Sequence, residues 1–448
     1  MSDQTPDGIR ERIAGLMPEV QADLERLIRI PSVSFPGFDP DQVRRSAETT
    51  EQILKGCGLE TRLLEVEGAH PAVMGSASAP DGAPTVLLYA HHDVQPQGPE
   101  NLWASPPFEP AERDGRLFGR GSSDDKAGIV MHAAALRAWD GRPPVGVTVF
   151  VEGEEESSSE HLGTFLSKYG DLLRADAVIL ADSGNWRTGE PALTISLRGI
   201  VACFVEIRTL DHAVHSGEYG GAIPDALTTL CRTLATLHDE KGNVAVPGLA
   251  SGPAEPLDLT EEELREWAGV RPGVGLIGEG NLTERMWTKP AVSVLGIDAP
   301  RTPEASNQLV PFARAKVSMR IPPGQDPDEA MDALVKHLES NVPWGAEVSI
   351  VREGVGSPFT IEAQGQAYEA MHRAMTESFG KKPVLMGAGG SIPFVAEFAK
   401  QFPQATLMLT GAGDPKCNAH SENESVDLAD LEKSCLAEAL FLGYLGGH

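Results

Sequence analysis

The spacing of apolar residues changes twice along the chain and so divides it into three parts. Up to about residue 190, apolar residues recur every three or four positions in segments such as 10–30 and 44–58, which predicts amphipathic helices. Short, continuous apolar runs lie between these segments and predict buried strands. This alternation is typical of an α/β domain with a doubly wound, mostly parallel sheet.

From Thr194 the pattern changes. Strand-like segments then surround two helical signals at 223–237 and 326–338, which predicts an antiparallel sheet with helices on one face. The alternation of helices and strands resumes after about residue 355. We therefore predict a first domain made of residues 1–192 and 355–448, with a second, α+β domain of residues 193–354 inserted into it.

Four of the predicted buried strands end next to an acidic residue or a histidine. They lead into His91, the acidic stretch 152–156, Asp182 and the motif N-A-H-S-E-N-E around His420. In open α/β sheets, reactive groups collect beyond the carboxyl ends of the strands, where loops unite residues that are distant in sequence. We therefore expect these motifs to contribute to one site.

The motif around His91 supplies a candidate ligand together with a group that can orient it. Strand alternation places His91 and Asp93 on the same face of the predicted strand and His92 on the other. A metal-bound imidazole is usually held by a hydrogen bond from its second ring nitrogen to a carboxylate. Asp93 can be that carboxylate.

Two acidic motifs allow alternative interpretations. Residues 117–128, L-F-G-R-G-S-S-D-D-K-A-G, precede a helical pattern, so Asp124 or Asp125 could cap that helix instead of binding a ligand. The carboxylates at 152–156 repel one another unless a cation lies among them, which favours a metal. A solvated acidic loop is the alternative for that stretch.

Taken together, these motifs predict a hydrolytic site with two metal ions. The candidate ligands are two histidines and three carboxylates: His91, Asp124, Glu156, Asp182 and His420. Such a set suits Zn²⁺, Mn²⁺ or Co²⁺, whereas thiolate-bound zinc would need closely spaced cysteine pairs, which this sequence lacks. One bridging carboxylate with two further ligands per metal uses all five residues and leaves a bridging water as nucleophile.

Composition limits the class of protein. A chain of 448 residues exceeds what one core usually fills, and 41% hydrophobic with 23% charged residues is ordinary for a soluble globular protein. A formal net charge of −28 argues against nucleic acid or anionic membrane as a partner. The N-terminal residues show no signal-peptide pattern, and the odd number of scattered cysteines favours a reducing cytoplasm.

In these motifs the chain resembles a family of di-zinc metallopeptidases. That family includes carnosinase-like dipeptidases, aminoacylases, carboxypeptidase G and succinyl-diaminopimelate desuccinylase, and the carnosinase-like dipeptidases are the most similar. The resemblance implies two divalent ions per chain, Zn²⁺ first among them. It implies that His91 and Asp182 bind one ion, that Glu156 and His420 bind the other, and that Asp124 bridges both.

The resemblance also implies the remaining catalytic groups of the first domain. Glu155 corresponds to the general base, and Asp93 corresponds to the partner of His91. The family has a cis peptide bond after its bridging aspartate, which would be the bond between Asp124 and Asp125. Because three glutamates are consecutive at 154–156, a different backbone turn would shift the base by one residue; the family register selects Glu155.

For the inserted domain, the resemblance implies a lid that also forms a homodimer. His215, in H-S-G-E-Y-G-G, would reach the partner subunit's site and stabilise the tetrahedral oxyanion, and Arg320 would hold the substrate carboxylate. Asn307 is a further candidate for substrate binding, although it also fits an ordinary turn. In G-G-S-I-P-F, Gly390 and Ser391 are candidates for carboxylate contacts.

The expected reaction is hydrolysis of a dipeptide or short peptide, with two alternatives. Carnosinase-like sequences often have Glu before the Gly-Gly pair, where this chain has Ala388. That departure puts recognition of a free amino terminus in doubt and favours an N-acyl-amino-acid deacylase or desuccinylase with the same site. A non-catalytic binding protein is the more distant alternative, and the presence of all five ligands with Glu155 argues against it.

Overall fold

A computed structural model describes residues 4–390 and 392–448, so the candidate Ser391 lies outside the described residues. The helices are α1 (Pro6–Ile28), α2 (Pro40–Gly56), α3 (Lys126–Ala138), α4 (Leu162–Leu173), α5 (Ser216–Tyr219), α6 (Ala226–Ala235), α7 (Glu261–Trp267), α8 (Pro327–Ser340), α9 (Gln366–Phe379), α10 (Pro393–Gln401) and α11 (Leu428–Leu445).

The strands are β1 (Glu60–Leu64), β2 (Ala72–Ala77), β3 (Thr85–His91), β4 (Ala111–Arg113), β5 (Arg116–Phe118), β6 (Gly146–Glu152), β7 (Ala177–Leu180), β8 (Ala192–Leu197), β9 (Gly199–Arg208), β10 (Val214–His215), β11 (Ala291–Asp298), β12 (Gln308–Leu309), β13 (Phe312–Ile321), β14 (Glu347–Gly356), β15 (Phe359–Thr360), β16 (Val384–Ala388), β17 (Thr406–Leu409) and β18 (Ser425–Asp427). Among the described residues, no helix is both long and apolar enough to cross a lipid bilayer.

The described chain divides into two compact units. The first contains the chain up to Ile195, then Ile361–Met386, and then the chain from Ile392 onward. The second contains Ser196–Thr360 and a short segment that begins at Gly387. The sequence pattern does not predict this return of the chain to the second unit.

The first unit is built on a mixed sheet whose centre is parallel. Its strand order is β1-β2-β6-β3-β7-β17-β8, and most of β16 also belongs to this unit and pairs with β8. The neighbours β6, β3, β7 and β17 are parallel, whereas the strands toward either edge pair antiparallel. The predicted α/β fold class is confirmed. The central strands are mostly apolar because both faces of the sheet are covered.

The two faces of this sheet pack differently. On one face, residues such as Val86 and Leu88 of β3 share a core with apolar residues of α1, α2, α3, α9 and α11. On the other face, Tyr89 of β3 stacks on Phe394 of α10, with ring centroids 4.0 Å apart, and Phe150 of β6 packs near Phe165 of α4. Helices therefore cover both faces, as in a doubly wound fold.

The second unit is a separate α+β structure. Its four strands form an antiparallel sheet in the order β11-β13-β9-β14. Alternate residues of β9 and β13, including Val205 and Val317, are buried against apolar side chains of α6 and α8. A short ladder of β10 and β12 pairs His215 with Gln308. At the start of α7, Thr260 and Glu263 form a capping box, in which each side chain accepts a hydrogen bond from the backbone amide of the other residue.

Candidate metal centre

The carboxyl ends of three neighbouring parallel strands carry the candidate ligands of the first unit. His91 is the last residue of β3 and is in register with Glu152, the last residue of β6. Glu156 follows β6 by four residues, and Asp182 follows β7 by two. Because the strands are parallel, their ends lie along one edge of the sheet, and the loops that leave it bring these side chains together.

The structure arranges the five candidate ligands as two groups that share one residue. The first group is His91, Asp124 and Asp182, and the second is Asp124, Glu156 and His420; within each group the possible ligand atoms lie within 4.8 Å of one another.

Asp124 connects the groups through its two carboxylate oxygens. His91 Nε2 lies 3.1 Å from Oδ1, and His420 Nε2 lies 3.0 Å from Oδ2. His420 Nε2 is also 3.2 Å from Glu156 Oε2. Asp124 therefore faces ligands of both groups instead of capping α3. The peptide bond between Asp124 and Asp125 is cis, as the family resemblance implies.

Asp93 links His91 to the acidic turn. Its Oδ1 atom lies 3.4 Å from His91 Nδ1, and its carboxylate accepts hydrogen bonds from the backbone amides of Glu155 and Glu156. The Ser34 hydroxyl donates a further hydrogen bond of 2.7 Å to it. One buried carboxylate thus orients a candidate ligand and fixes the start of the turn that carries another.

The three consecutive glutamates point to different partners. Glu154 accepts a hydrogen bond from the backbone amide of His70 and lies 2.9 Å from His161 Nδ1, so it belongs to the packing around the turn. Glu156 accepts hydrogen bonds from both the backbone amide and the side-chain amide of Gln95. Burial raises the pKa of Glu155, and the negative charge of Asp182 raises it further.

The electrostatics of the site favour added positive charge. Burial raises the pKa values of Asp182 and Glu156 above their usual range, and the charge of Asp124 raises them further. Burial would lower the pKa of His91, but hydrogen bonds to Asp124 and Asp93 hold it well above normal. Hydrogen bonds to Asp124 and Glu156 raise the pKa of His420 to about 11. These shifts all favour positive charge at the place where the candidate ligands converge.

A set of imidazole and carboxylate groups in this arrangement fits two divalent cations. Each group offers nitrogen and oxygen ligands of the borderline-hard type, and Asp124 offers one oxygen to each. The acids repel one another unless cations lie among them, which favours the binding of metal ions at this site. The donor set is therefore chemically suited to the ions that the sequence predicts.

Candidate residues of the second unit are at its surface. His215 is exposed, and its Nδ1 accepts a hydrogen bond of 3.0 Å from the Gly217 amide. Asn307 is also exposed. It lies close to His215, since its carbonyl accepts a hydrogen bond from the backbone amide of Ser216. Gly390 is also exposed, with open space where a Cβ would be.

Arg320 lies in β13 on the face of the sheet opposite α6 and α8. Within the described part of the chain, its side chain makes no hydrogen bond or ion pair. Arg198 is nearby and donates a hydrogen bond to the Gly389 carbonyl; burial, together with the charge of Arg320, lowers its pKa to about 10. Among the described residues neither guanidinium group has a carboxylate partner, and guanidinium groups bind carboxylates well.

Several residues that organise the site lie inside motifs quoted above but are not identified by sequence reasoning. Gln95 holds Glu156, and Glu424 holds the backbone of the Asp124 loop. Arg120 donates a hydrogen bond of 2.7 Å from Nη1 to Oε2 of Glu424. The sequence signal that could have identified Arg120 and Glu424 is a charged side chain within a motif that carries a candidate ligand. Gln95 gives no comparable signal.

A comparison with protein-family models matches residues 87–442 to peptidase family M20/M25/M40. The matched segment begins in β3, before His91, and ends in α11, after His420. It therefore includes all the candidate metal ligands and the whole of the inserted unit.

Relatives match nearly the full length of the chain. A cysteinylglycine-S-conjugate dipeptidase of Corynebacterium striatum is 33% identical, over 93% of this chain and 95% of the relative. A Cys-Gly metallodipeptidase of Candida albicans is 28% identical, over 97% of this chain and 96% of the relative. Among solved structures, human carnosine dipeptidase 1 has a similar fold, with a TM-score of 0.86 at 22% identity and 99% coverage of both chains.

Proposed function

Since the chain belongs to peptidase family M20/M25/M40, we propose that it is a metal-dependent dipeptidase that hydrolyses the amide bond of dipeptides or other short peptides. The observation that carries the proposal is the pair of ligand groups that share Asp124. The names of the Corynebacterium and Candida relatives, both dipeptidases, support the substrate class.

The proposed ions are two Zn²⁺ per chain, with Mn²⁺ or Co²⁺ as substitutes. His91 and Asp182 hold one ion, Glu156 and His420 hold the other, and Asp124 bridges them. When bound, such ions lower the pKa of a shared water and polarise the scissile carbonyl. The mixed nitrogen and oxygen ligands support this choice over Ca²⁺ or Mg²⁺, which prefer oxygen alone.

Glu155 is the proposed general base. It takes a proton from the attacking water and returns it to the leaving amine. Its half-buried position and its raised pKa support both steps, because a carboxyl group with a raised pKa is a stronger base toward the attacking water. Asp93 keeps His91 and the turn at Glu155 in place.

His215, Arg320 and the segment around Gly390 are the proposed substrate-binding and oxyanion-stabilising residues of the second unit. His215 donates a hydrogen bond to the developing oxyanion, and Arg320 binds the carboxylate of the substrate. Asn307 lies beside His215 and is a further proposed contact, as is Ser391. The exposure of His215 and the guanidinium of Arg320, which has no partner among the described residues, support roles that involve a ligand.

We also propose that the protein is a homodimer in which His215 acts on the partner subunit's site. The second unit exposes apolar side chains on both edge strands of its sheet, among them Leu295 of β11, 60% exposed, and Val351 of β14, 56% exposed. Apolar edge strands of this kind usually pair with another chain. A reducing cytoplasm is the proposed compartment, supported by the free thiols of the described chain.

A substrate panel tests the proposed function. The protein, reconstituted with Zn²⁺ or Mn²⁺, is assayed on Cys-Gly, a cysteinylglycine S-conjugate and carnosine, and in parallel on N-acetyl and N-succinyl amino acids. We expect dipeptides to give the highest kcat/KM. Hydrolysis of only the N-acylated compounds would contradict the dipeptidase proposal.

The second candidate function is an N-acyl-amino-acid deacylase or desuccinylase. The observation that favours it is Ala388, which provides no carboxylate for the amino terminus of a dipeptide. Ala388→Glu separates the two functions. If the protein is a dipeptidase, the added carboxylate should lower KM for dipeptides. If it is a deacylase, the added carboxylate should weaken the binding of N-succinyl substrates through charge repulsion.

A further inference from the structure

The Glu424 carboxylate accepts five hydrogen bonds from Arg120 and from the loop that ends at Asp124. Its Oε2 accepts from Arg120 Nη1 at 2.7 Å and from the Gly121 amide at 3.0 Å. Its Oε1 accepts from the Ser123 amide at 2.9 Å, the Ser123 hydroxyl at 3.2 Å and the Asp124 amide at 3.1 Å. Glu424 is fully buried. One carboxylate therefore fixes the backbone of the loop that ends at Asp124.

The same carboxylate joins segments that are far apart in sequence. Glu424 lies four residues after His420, so it connects the His420 loop to the Asp124 loop. Its partner Arg120 also donates a hydrogen bond of 3.2 Å to the carbonyl of Pro96, in the segment that follows His91. The Arg120–Glu424 pair thus touches three segments, each of which carries a candidate metal ligand.

A fourth ligand is connected through the same segment. Gln95 precedes Pro96 and donates two hydrogen bonds to Glu156, from its backbone amide at 3.1 Å and from its side-chain amide at 2.8 Å. A displacement of Arg120 would therefore reach Glu156 through Pro96 and Gln95. Four of the five candidate ligands are linked to a single buried ion pair, and Asp182 is the one that is not.

The local backbone requires an acceptor at this position. Gly121 has a φ of 80°, and a Cβ there would lie 2.6 Å from Val94 Cγ1, so the loop is bent tightly against the His91 segment. In that bend, the amides of Gly121, Ser123 and Asp124 all point to Glu424. A neutral amide side chain would turn a donor toward this set of donors, and buried donors without acceptors are costly.

We propose that Glu424 is a positioning residue that sets the affinity of the site for its metal ions by holding the Asp124, His420 and His91 segments in one arrangement. It does not contact the metal or the substrate. Glu424 acts through Asp124 and His420. Its proposed role rests on the proposed metal site but not on the identity of the peptide substrate. Replacement of residues that orient metal ligands typically costs ten- to a hundredfold in metal affinity.

The test measures metal affinity directly. Metal-free protein is titrated with Zn²⁺ or Co²⁺ in competition with a chromophoric chelator, and the Co²⁺ absorption spectrum is recorded. Glu424→Gln should raise the dissociation constant about ten- to a hundredfold and alter the Co²⁺ spectrum. Its activity should recover as the metal concentration is raised, since the substrate contacts are intact. An unchanged dissociation constant would overturn the proposal.

A milder pair of variants covers the case in which Glu424→Gln does not fold. Ser123→Ala removes one hydroxyl that donates to Glu424, and we expect a two- to tenfold weaker affinity, about the effect of one hydrogen bond. Ser122→Ala is the matched control, because the neighbouring Ser122 hydroxyl is buried without a hydrogen-bond partner among the described residues. Equal affinities of these two variants would contradict the role of Glu424.

The outcome separates this inference from the proposed function. If the wild-type protein binds no divalent ion, the metal site itself is wrong. If it binds two ions and Glu424→Gln binds them equally well, the site stands and the positioning role of Glu424 fails. If binding weakens as expected but no peptide is cleaved, the positioning role stands and the dipeptidase proposal fails.

Discussion

The two units of this protein treat their reactive residues in opposite ways. In the first unit most of the candidate ligands are buried or half-buried: at the side chain, His91 is inaccessible, Glu156 is 3% exposed and Asp124 is 17% exposed, whereas His420 is 58% exposed. Each is also held by partners of the same unit, such as Asp93 or Gln95. In the second unit, His215 and Asn307 are exposed and lie on a short strand pair at the surface.

This difference indicates that the two units have different functions. The first unit fixes its groups before any ligand arrives, as a metal site requires, since a preorganised ligand set loses little freedom on binding. The second unit offers donors that gain a partner only when another molecule or chain meets them. The first unit is therefore expected to determine metal binding and proton transfer, and the second to determine substrate binding and assembly.

The largest effect should come from the proposed base of the first unit. Glu155→Gln is nearly isosteric but cannot accept a proton near neutral pH, so we expect kcat to fall about 10²- to 10⁴-fold with both metal ions retained. Elemental analysis and steady-state kinetics measure the two quantities. Glu154→Gln is the control, because Glu154 is hydrogen-bonded to His70 and His161. If Glu154→Gln abolished turnover and Glu155→Gln did not, the base would be misassigned.

His215→Ala should give the next largest effect. Loss of one oxyanion donor lowers kcat about 10²- to 10³-fold, although His215 is exposed in its own unit. If His215 acts in trans, mixing His215→Ala chains with Glu155→Gln chains should restore up to about half of the activity per heterodimer, since one composite site is then intact. No recovery in demonstrated heterodimers would place His215 in its own chain's site or outside catalysis.

Arg320→Met should produce a smaller effect, on KM. Hydrogen bonds to a charged group contribute about 1.5–3 kcal/mol, so KM for peptides should rise roughly ten- to a hundredfold with little change in kcat. Arg314→Met is the matched control: Arg314 lies on the same strand and the same face, where its guanidinium lies 4.0 Å from the ring centroid of Phe204. An equal rise in KM for both variants would indicate a general effect of charge.

The smallest expected effect concerns the stability of the first unit. His132 on α3 is buried and lies 2.9 Å from Glu438 on α11; burial lowers its pKa, but Glu438 outweighs this and raises it above the normal value. A raised folded-state pKa adds stability that is complete below about pH 6.5 and is lost as the pH rises through the folded pKa. Glu438→Gln should therefore cost about 1–3 kcal/mol near pH 6 and less at pH 9, by chemical denaturation at both values. A cost independent of pH would show that His132 stays neutral.

Much of the first unit could be predicted from sequence because its signals are local. The period of two in β3 places His91 and Asp93 on one face and His92 on the other, and the structure agrees: His92 Nε2 is 2.9 Å from the Pro71 carbonyl. His132 of α3 is likewise packed inside the unit, with its Nδ1 atom 2.9 Å from the Glu438 carboxylate. In each case a strand or helix period fixes the direction of a side chain before any tertiary contact is known.

The supporting residues could not be predicted, because their partners are distant in sequence. Glu424 and Asp124 are 300 positions apart, and no period connects them. His161 has no ligand spacing, yet it pairs with Glu154 because the turn after β6 takes left-handed φ values at Ser158 and Ser159. His420 itself has a φ of 64°, a conformation that sequence patterns do not reveal.

The insertion of the second unit also imposes an order on protein synthesis. The second unit is encoded almost entirely by Ser196–Thr360, so its sheet and helices leave the ribosome as one segment. The first unit needs α9 and α11, whose buried residues belong to the same core as β3 and α1. Translation from β8 to the end of α11 covers roughly 250 residues, or about ten to fifty seconds at typical rates of roughly 5–20 residues per second. For that interval the nascent first unit must keep an unfinished apolar core from aggregating, while the later-encoded unit beside it on the chain can already be folded.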